Sequence, residues 1–324
     1  MIPLYPLRFE PIFKPNLWGG RQLGQLLGRP LPDDGPYGEA WVLSDQDGSL
    51  SRIAEGPLRG QTLRQLLADV GERLLGRRET RFPLLLKLID AREALSVQVH
   101  PDDHHTSLLP PGQRGKTEAW VVLDAEPGSR IYAGLQPGIG PAEVRQALRE
   151  RRLVECLHWF SPRKGDCLFL PAGTVHALGA GVVVFEVQQN SDVTFRLHDW
   201  DRVDGRTGQP RPLHVEESLA CIDFAVGPRY PVRVEPRREP PGSREQLVSC
   251  RHFTLDRLHG SEPFWLGESR KCRVVVGVAG KATLEHAGQL YPIQRGEVVL
   301  LPAEVGACRC QPDGDVTLLE CGLP

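Results

Sequence analysis

The chain has 324 residues, 40% of them hydrophobic and 25% charged, enough apolar material to fill a sizeable core. Its formal charge of -2 comes without any Lys/Arg-rich run, which argues against a nucleic-acid backbone or an anionic membrane surface as partner. No segment approaches the ~18 consecutive apolar residues of a membrane span, and the N-terminal stretch has no basic start followed by an apolar core, so a soluble, unexported, cytoplasmic protein is expected.

Along the chain, 34 Gly and 29 Pro punctuate short Val-rich runs, the pattern of a mostly β protein. The first clear helix falls at 61–76, where Leu63, Leu66, Leu67, Val70 and Leu74 make one apolar stripe. Strands are predicted at 83–90, 94–100 and 118–124. A second helix is predicted from Pro141 to His158, because proline after Gly140 suits a first helical position. Strands at 167–170, 182–189 and 193–198 follow, then a short helix from His214 to Cys221. The stretch 231–246 packs prolines and charges together without periodicity, the composition of a connection. It divides a domain over 1–235 from a small all-β domain over 247–324, with 236–246 as the linker. Eight cysteines lie between Cys156 and Cys321 without a CxxC pair, so reduced thiols are expected rather than a zinc ribbon or a disulfide framework.

Two stretches share a frame: "GDCLFLPAGTVHALGAG" from Gly165 and "GEVVLLPAEVGACRC" from Gly296. In the first, Gly165, Pro171, Gly173 and His176 have a spacing that resembles the second motif of the cupin superfamily. Physically, the glycine opens a strand from a tight turn, and Pro171 and Gly173 shape the bend that delivers His176 inward. In the second copy Glu304 stands in the place of Gly173 and Ala307 in that of His176. Two barrels of similar build are therefore expected, of which only the first carries metal ligands.

Divalent ions want N and O donors converging from different strands. Strand alternation puts Gln98 and His100, in "LSVQVHPDDHH", on one face, and His176 arrives from another strand. Glu118, at the start of the apolar run in "GKTEAWVVL", is the carboxylate such a set lacks. His104 and His105 follow two aspartates in a polar loop and are expected to be solvated.

Longer motifs then point to a family. "KPNLWGGRQL", "GEAWVLSD", "LLLKLIDAREALSVQVHPDD", "GKTEAW", "KGDCLFLPAGTVHALGAGVVVFEVQQNSDVTFRLHDWDR" and "LHVEESL", in this order, resemble the short bacterial form of the type I mannose-6-phosphate isomerases. The resemblance implies a cupin β-barrel (jelly roll) with helical insertions plus a smaller C-terminal cupin-like barrel. It implies one zinc ion per chain held by His100, Glu118 and His176 with Gln98 as a further ligand. It also implies that Arg196 is the active-site arginine, that Lys116 lies beside the sugar, and that Lys87 and Ser96 lie toward the phosphate of a phosphorylated hexose. Thr117 stands where larger relatives have proline, with spacing unchanged.

The implied reaction interconverts mannose 6-phosphate and fructose 6-phosphate through an enediol, which requires an oxyanion stabiliser and a proton carrier near two carbons. Arg196 suits the oxyanion or the phosphate. Lys116 and Glu186, a carboxylate inside the apolar strand "VVVFEVQQ", remain alternative proton carriers, because sequence does not fix the register that aims Glu186. The competing readings are an iron-dependent cupin oxygenase using the same His100, His176 and Glu118, and a non-catalytic sugar-binding or regulatory cupin. Oligomeric state, monomer or homodimer, stays open.

Overall fold

The computed structural model describes residues 2–204 and 207–323; Met1, Gly205, Arg206 and Pro324, which the expected domain ranges include, lie outside the described residues. Its first half is built on a six-stranded sheet in the order β1 (Ile12–Gly20), β2 (Tyr37–Leu43), β5 (Leu84–Ala91), β12 (Val182–Gln189), β7 (Glu118–Ala125), β10 (Cys167–Leu170). A five-stranded sheet faces it, in the order β13 (Phe195–His198), β6 (Val97–Val99), β11 (His176–Leu178), β8 (Ile131–Leu135), β9 (Leu157–Phe160). Every residue of β5 and β12 is buried, which explains why both read as nearly unbroken apolar runs: each face of their sheet is covered. One face packs across the sandwich, where Ile89, Trp120 and Val184 meet Leu95, Ile131 and Leu178 of the opposite sheet. The other face, with Leu84, Leu86, Val121 and Phe185, belongs to a core shared with the second half of the chain.

That second half repeats the arrangement. Its larger sheet runs β16 (Arg237–Glu239), β17 (Gly242–Ser249), β18 (Thr254–Gly260), β25 (Val316–Gly322), β20 (Arg273–Ala279), β23 (Val298–Leu301). Its smaller one runs β19 (Phe264–Leu266), β24 (Cys308–Pro312), β21 (Lys281–His286), β22 (Gln289–Gln294). Two-stranded ribbons, β3 (Asp45–Gln46) with β4 (Ser49–Leu50) and β14 (Val203–Asp204) with β15 (Gln209–Pro210), complete the strands.

The repetition extends to register. Lys87 pairs with Glu186 across β5 and β12, as Asp256 pairs with Glu320 across β18 and β25. Leu170 pairs with Glu118 across β10 and β7, as Leu301 pairs with Arg273 across β23 and β20. A guanidinium therefore stands where the first half has Glu118. The loops that follow differ: His176 begins β11 and is buried, whereas Ala307 is exposed and Cys308 takes the inward position. The sequence frame thus slips by one residue at its last position, because Val305 and Gly306 are packed inside a turn that docks on a helix rather than delivering a ligand.

That helix, α2 (Leu63–Leu75), matches the expected stripe and buries Leu63, Leu66, Leu67, Val70 and Leu74. Thr62 and Gln65 form a capping box at its start, and Gly76 at φ 81 ends it. The backbone N–H groups of Ala303 and Glu304 donate to the carbonyls of Leu74 and Arg73, tying the two halves together.

Two expectations need correction. The helix predicted to His158 stops earlier: α3 is Pro141–Arg149, Arg151 adopts a left-handed φ of 56, and a 3-10 turn at Leu153–Cys156 leads into β9. The segment 236–246 is no open linker; it holds the hairpin of β16 with β17, whose exposed edge explains its polar composition. The short α1 (Gln22–Leu26) has no local signal in the sequence: Arg21 makes no capping bond, and the first N–H, of Gln22, is taken instead by Asp90 Oδ2 from β5 at 2.7 Å. The fourth helix, α4 (Val215–Cys221), agrees with expectation, and among the described residues no helix is long and apolar enough to cross a membrane.

Candidate active site and metal centre

Between the two sheets of the first half lies a cavity of about 310 Å³, lined by Lys87, Ser96, Gln98, Lys116, Glu186 and Arg196 among others. A larger cleft, about 510 Å³, lies elsewhere, between α1 and the loops around Lys281 and Arg295, and contains none of the groups of interest.

Next to Gln98 and Lys116 of this lining, ligand atoms of His100, Glu118 and His176, which do not themselves line the cavity, come within 4.8 Å of one another, the one such group among the described residues. Each is essentially inaccessible to solvent. His176 Nε2 lies 3.2 Å from Glu118 Oε1, His100 Nε2 lies 3.5 Å from Glu118 Oε2, and the Gln98 amide reaches His176 Nε2 at 3.3 Å. A tetrahedral ion with bonds of roughly 2.0–2.1 Å has edges of about 3.3–3.4 Å, so these separations fit a single small divalent cation. The outer nitrogens support the same reading. His100 Nδ1 sits 2.9 Å from the Val193 carbonyl and His176 Nδ1 sits 2.9 Å from that of Thr174. Each Nδ1 donates its proton there, which turns each Nε2 toward the centre of the cluster, where Lys116 Nζ approaches that of His100 and the Gln98 amide that of His176.

Burial, reinforced by the Lys116 cation, pushes the His100 imidazole well below its ordinary range and so keeps it neutral. Burial opposes ionisation of Glu118, but the charge around it, the Lys116 cation foremost, outweighs burial and holds the carboxyl well below the usual range. Neither Glu118 oxygen has an aligned hydrogen-bond donor among the described residues, although Lys116 Nζ stands 2.8 Å from Oε2 and 3.0 Å from His100 Nε2. A buried carboxylate facing two imidazole Nε2 atoms, their ligand atoms gathered within 4.8 Å, is a donor set suited to a cation.

Lys116 is buried, its backbone N–H held by the Pro101 carbonyl, and the next residue is anchored by Gln189 Oε1 and by its own hydroxyl, which accepts from Ala172 N. Thr117 thus does the positioning at this turn. Lys87 does not stand free: its Nζ is 3.2 Å from Glu186 Oε1 and 3.6 Å from Glu39 Oε2. Trp120 Nε1 donates to Glu186 at 2.7 Å and Trp41 Nε1 to Glu39 at 2.6 Å. The register left open by the sequence is resolved here: Glu186 pairs with Lys87 on one side and Trp120 on the other, and its carboxylate lines the cavity that Arg196 lines from the facing sheet.

Arg196 pairs with Gln98 in register, so both point inward, as alternation requires. Its Nη1 donates to the Pro212 carbonyl at 2.9 Å. Burial, then the neighbouring Arg211 cation, lowers its pKa from the ordinary arginine value. Arg211 also lines the cavity and is clamped to Asp199, which Arg202 holds from the other side at 2.6 Å. His104 is exposed, and His105 accepts the Asp102 backbone N–H through Nδ1; neither joins the cluster. Glu39 and Arg211 went unnoticed in the sequence. "GEAWVLSD" flags the first only as part of a motif, and nothing local marks the second.

Comparison with known proteins addresses the family. Residues 7–116 match the phosphomannose isomerase type I catalytic domain. The chain is 32% identical over 303 residues to the mannose-6-phosphate isomerase ManA of Bacillus subtilis, covering 93% of this chain and 94% of that protein. It is 39% identical over 307 residues to the probable mannose-6-phosphate isomerase GmuF of the same organism, covering 93% and 95%. The crystal structure of a mannose 6-phosphate isomerase from Bacillus subtilis superposes with a TM-score of 0.89 at 28% identity, covering 98% of this chain and 99% of that one, which makes the paired-sheet architecture cupin-type. With identity of this level across nearly the whole length, the chain belongs to the type I phosphomannose isomerase family.

Proposed function

We propose that this chain is a zinc-dependent mannose-6-phosphate isomerase, interconverting mannose 6-phosphate and fructose 6-phosphate through an enediol. The observation that carries the metal centre is the set of donor separations of 3.2, 3.3 and 3.5 Å among Gln98, His100, Glu118 and His176. Rotating the Gln98 amide presents its oxygen rather than its nitrogen to the same point. These four residues would hold one zinc ion per chain, which would supply Lewis-acid polarisation of a sugar oxygen without redox chemistry.

The remaining steps belong to the side chains. Arg196 offers a permanent cation to the oxygen on which negative charge develops. Glu186 is the proton carrier between the two carbons: it faces the cavity and its Trp120 and Lys87 partners hold it in one orientation. Lys116, lodged against Glu118 and His100, orients the sugar beside the donor cluster. Ser96 and Lys87 complete the wall toward the phosphate. We assign residues 1–235 to the catalytic domain and 247–324 to a domain that supports it. The eight free cysteines fit a reducing cytoplasm.

The test is a coupled assay of mannose 6-phosphate turnover with and without a chelator, alongside metal analysis of the purified protein. Turnover abolished by chelation and restored by zinc is expected. Metal-replete protein without turnover overturns the isomerase reading, and full metal content in His176→Ala overturns the ligand assignment.

A further inference from the structure

Glu39 carries no role in the reading above, yet it is one of two carboxylates that share a single buried cation. Lys87 Nζ lies between Glu39 Oε2 at 3.6 Å and Glu186 Oε1 at 3.2 Å, and its side chain is only 5% exposed. Each carboxylate is fixed by an indole: Trp41 Nε1 on Glu39, Trp120 Nε1 on Glu186. The three residues come from the adjacent strands β2, β5 and β12, where Trp41 and Glu186 both pair with Lys87. Lys14 closes the far side of Trp41, its Nζ 4.1 Å from the ring centroid.

A lone lysine opposite a lone buried carboxylate makes a closed neutral pair, and a carboxylate so compensated is a poor base. A second carboxylate on the other side of the ammonium changes that balance. The local group of Glu39, Lys87 and Glu186 carries a net charge of -1, so Glu186 is only partly neutralised. The other charged groups facing this set are Asp192 beyond β12 and Glu118 on β7, both acting on Lys87, Lys116, which acts on Glu39, Lys14 on β1, which pairs with Glu39 in register, and Arg196 and Arg211 across the cavity. Glu39 itself remains ionised: burial works against it, but Lys87, the Trp41 indole and Lys116 outweigh burial.

We propose that Glu39 is a positioning residue for proton transfer: by sharing the Lys87 ammonium it keeps Glu186 basic and holds Lys87 in place as a fixed cation. This rests on the isomerase reading and on Glu186 as its proton carrier. Lys87 is thereby an internal counter-ion first, with its charge already committed to two protein carboxylates.

The experiment is the pH dependence of kcat and kcat/KM in the zinc-loaded full-length enzyme carrying Glu39→Gln, Glu39→Asp or Trp41→Phe. In Glu39→Gln, Lys87 turns wholly to Glu186, so kcat falls about tenfold with KM almost unchanged. The acidic limb, which reports protonation of the base, moves down by roughly half a unit to one unit. Glu39→Asp keeps the charge and restores most of kcat and the limb position. Trp41→Phe loosens Glu39 without removing its charge and shifts the limb the same way by less, which serves if Glu39→Gln fails to fold. A limb that stays or moves up in Glu39→Gln or Trp41→Phe, or a Glu39→Asp enzyme as impaired as Glu39→Gln, overturns this role. Metal-replete wild type without turnover overturns the isomerase reading and this role with it, whereas a working wild type whose variants show no shift overturns this role alone.

Discussion

Asp199 shows how far a single side chain can organise the mouth of the cavity. It accepts Arg202 Nη2 at 2.6 Å and Arg211 Nε at 2.8 Å, and so brings Arg211 beside Arg196. Burial alone would raise its pKa, but the two guanidinium groups outweigh burial and hold it below the usual carboxylate range. A carboxyl depressed on folding contributes stability above its unfolded pKa, near 3.9, and loses that contribution as pH falls through the folded value. Asp199→Asn is therefore expected to lower stability by about 1 kcal/mol at neutral pH, allowing for solvent screening of a site at the cavity mouth. The difference from wild type should shrink as the pH drops below about 4. Urea unfolding at neutral and acid pH checks this, and a gap that does not change with pH would sink the electrostatic account. The same contrast separates what the sequence discloses from what it hides. His100, Glu118 and His176 stand in motifs whose local pattern already announces a ligand, and the structure brings them together. Glu39 becomes meaningful only through a lysine 48 positions away, and Arg211 only through the turn that folds back on Asp199. Register and loop closure carry that information, and neither is written locally.

Elements whose signals are local behave as the pattern requires. The stripe of α2, its capping box and its terminal glycine are all readable in the residues 61–76, and all are present. The β16–β17 hairpin was unreadable for the opposite reason: an exposed edge needs no apolar alternation, so its polar residues look like those of a connection. The 3-10 turn after α3 was hidden because Leu153 and Cys156, buried on the way into β9, continue the apolar spacing of a helix. The cap of α2 makes an element-scale test. Thr62 Oγ1 accepts the Gln65 N–H at 3.2 Å while Gln65 Oε1 accepts the Thr62 N–H at 2.9 Å. Thr62→Ala removes one of these bonds and is expected to cost about 1 kcal/mol. Because α2 packs on the outer side of the catalytic sheet and against the second half, kcat/KM should not change. A denaturation midpoint equal to that of wild type would show that the helix start is held by packing alone.

At the scale of the molecule, the register correspondence shows how two similar halves carry different charged layers. In the first half the layer formed by Glu118, Glu186 and Lys87 has an excess of acid and two inward imidazoles beside it. In the second half the matching positions are Arg273, Glu320 and Asp256, and Arg244 joins them, donating to Asp256 at 2.7 Å and to Glu320 at 3.2 Å. Arg273 also reaches Glu268 and the Cys272 carbonyl, and its Nε stands 3.8 Å from Glu320. The charge that an ion would bring to this layer is supplied by side chains of the chain itself, and the space beneath is filled by Val275, Leu318 and Val299. No metal-ligand cluster of the kind seen in the first half is found in this layer among the described residues. Arg273→Met should then leave Glu320, only 5% exposed, with Arg244 as its remaining cation. Breaking a buried pair costs roughly 3–5 kcal/mol, and the surviving partner reduces this to about 2 kcal/mol. The loss should spread beyond the second half, because its outer sheet face shares one core with the outer face of the catalytic sheet, joined by the bridge between Leu7 and Leu300. A single cooperative unfolding transition, shifted as a whole, is expected in urea, with the kcat/KM of the folded protein unaltered. Two separated transitions in Arg273→Met would show instead that the halves are energetically independent and that the shared core does not couple them.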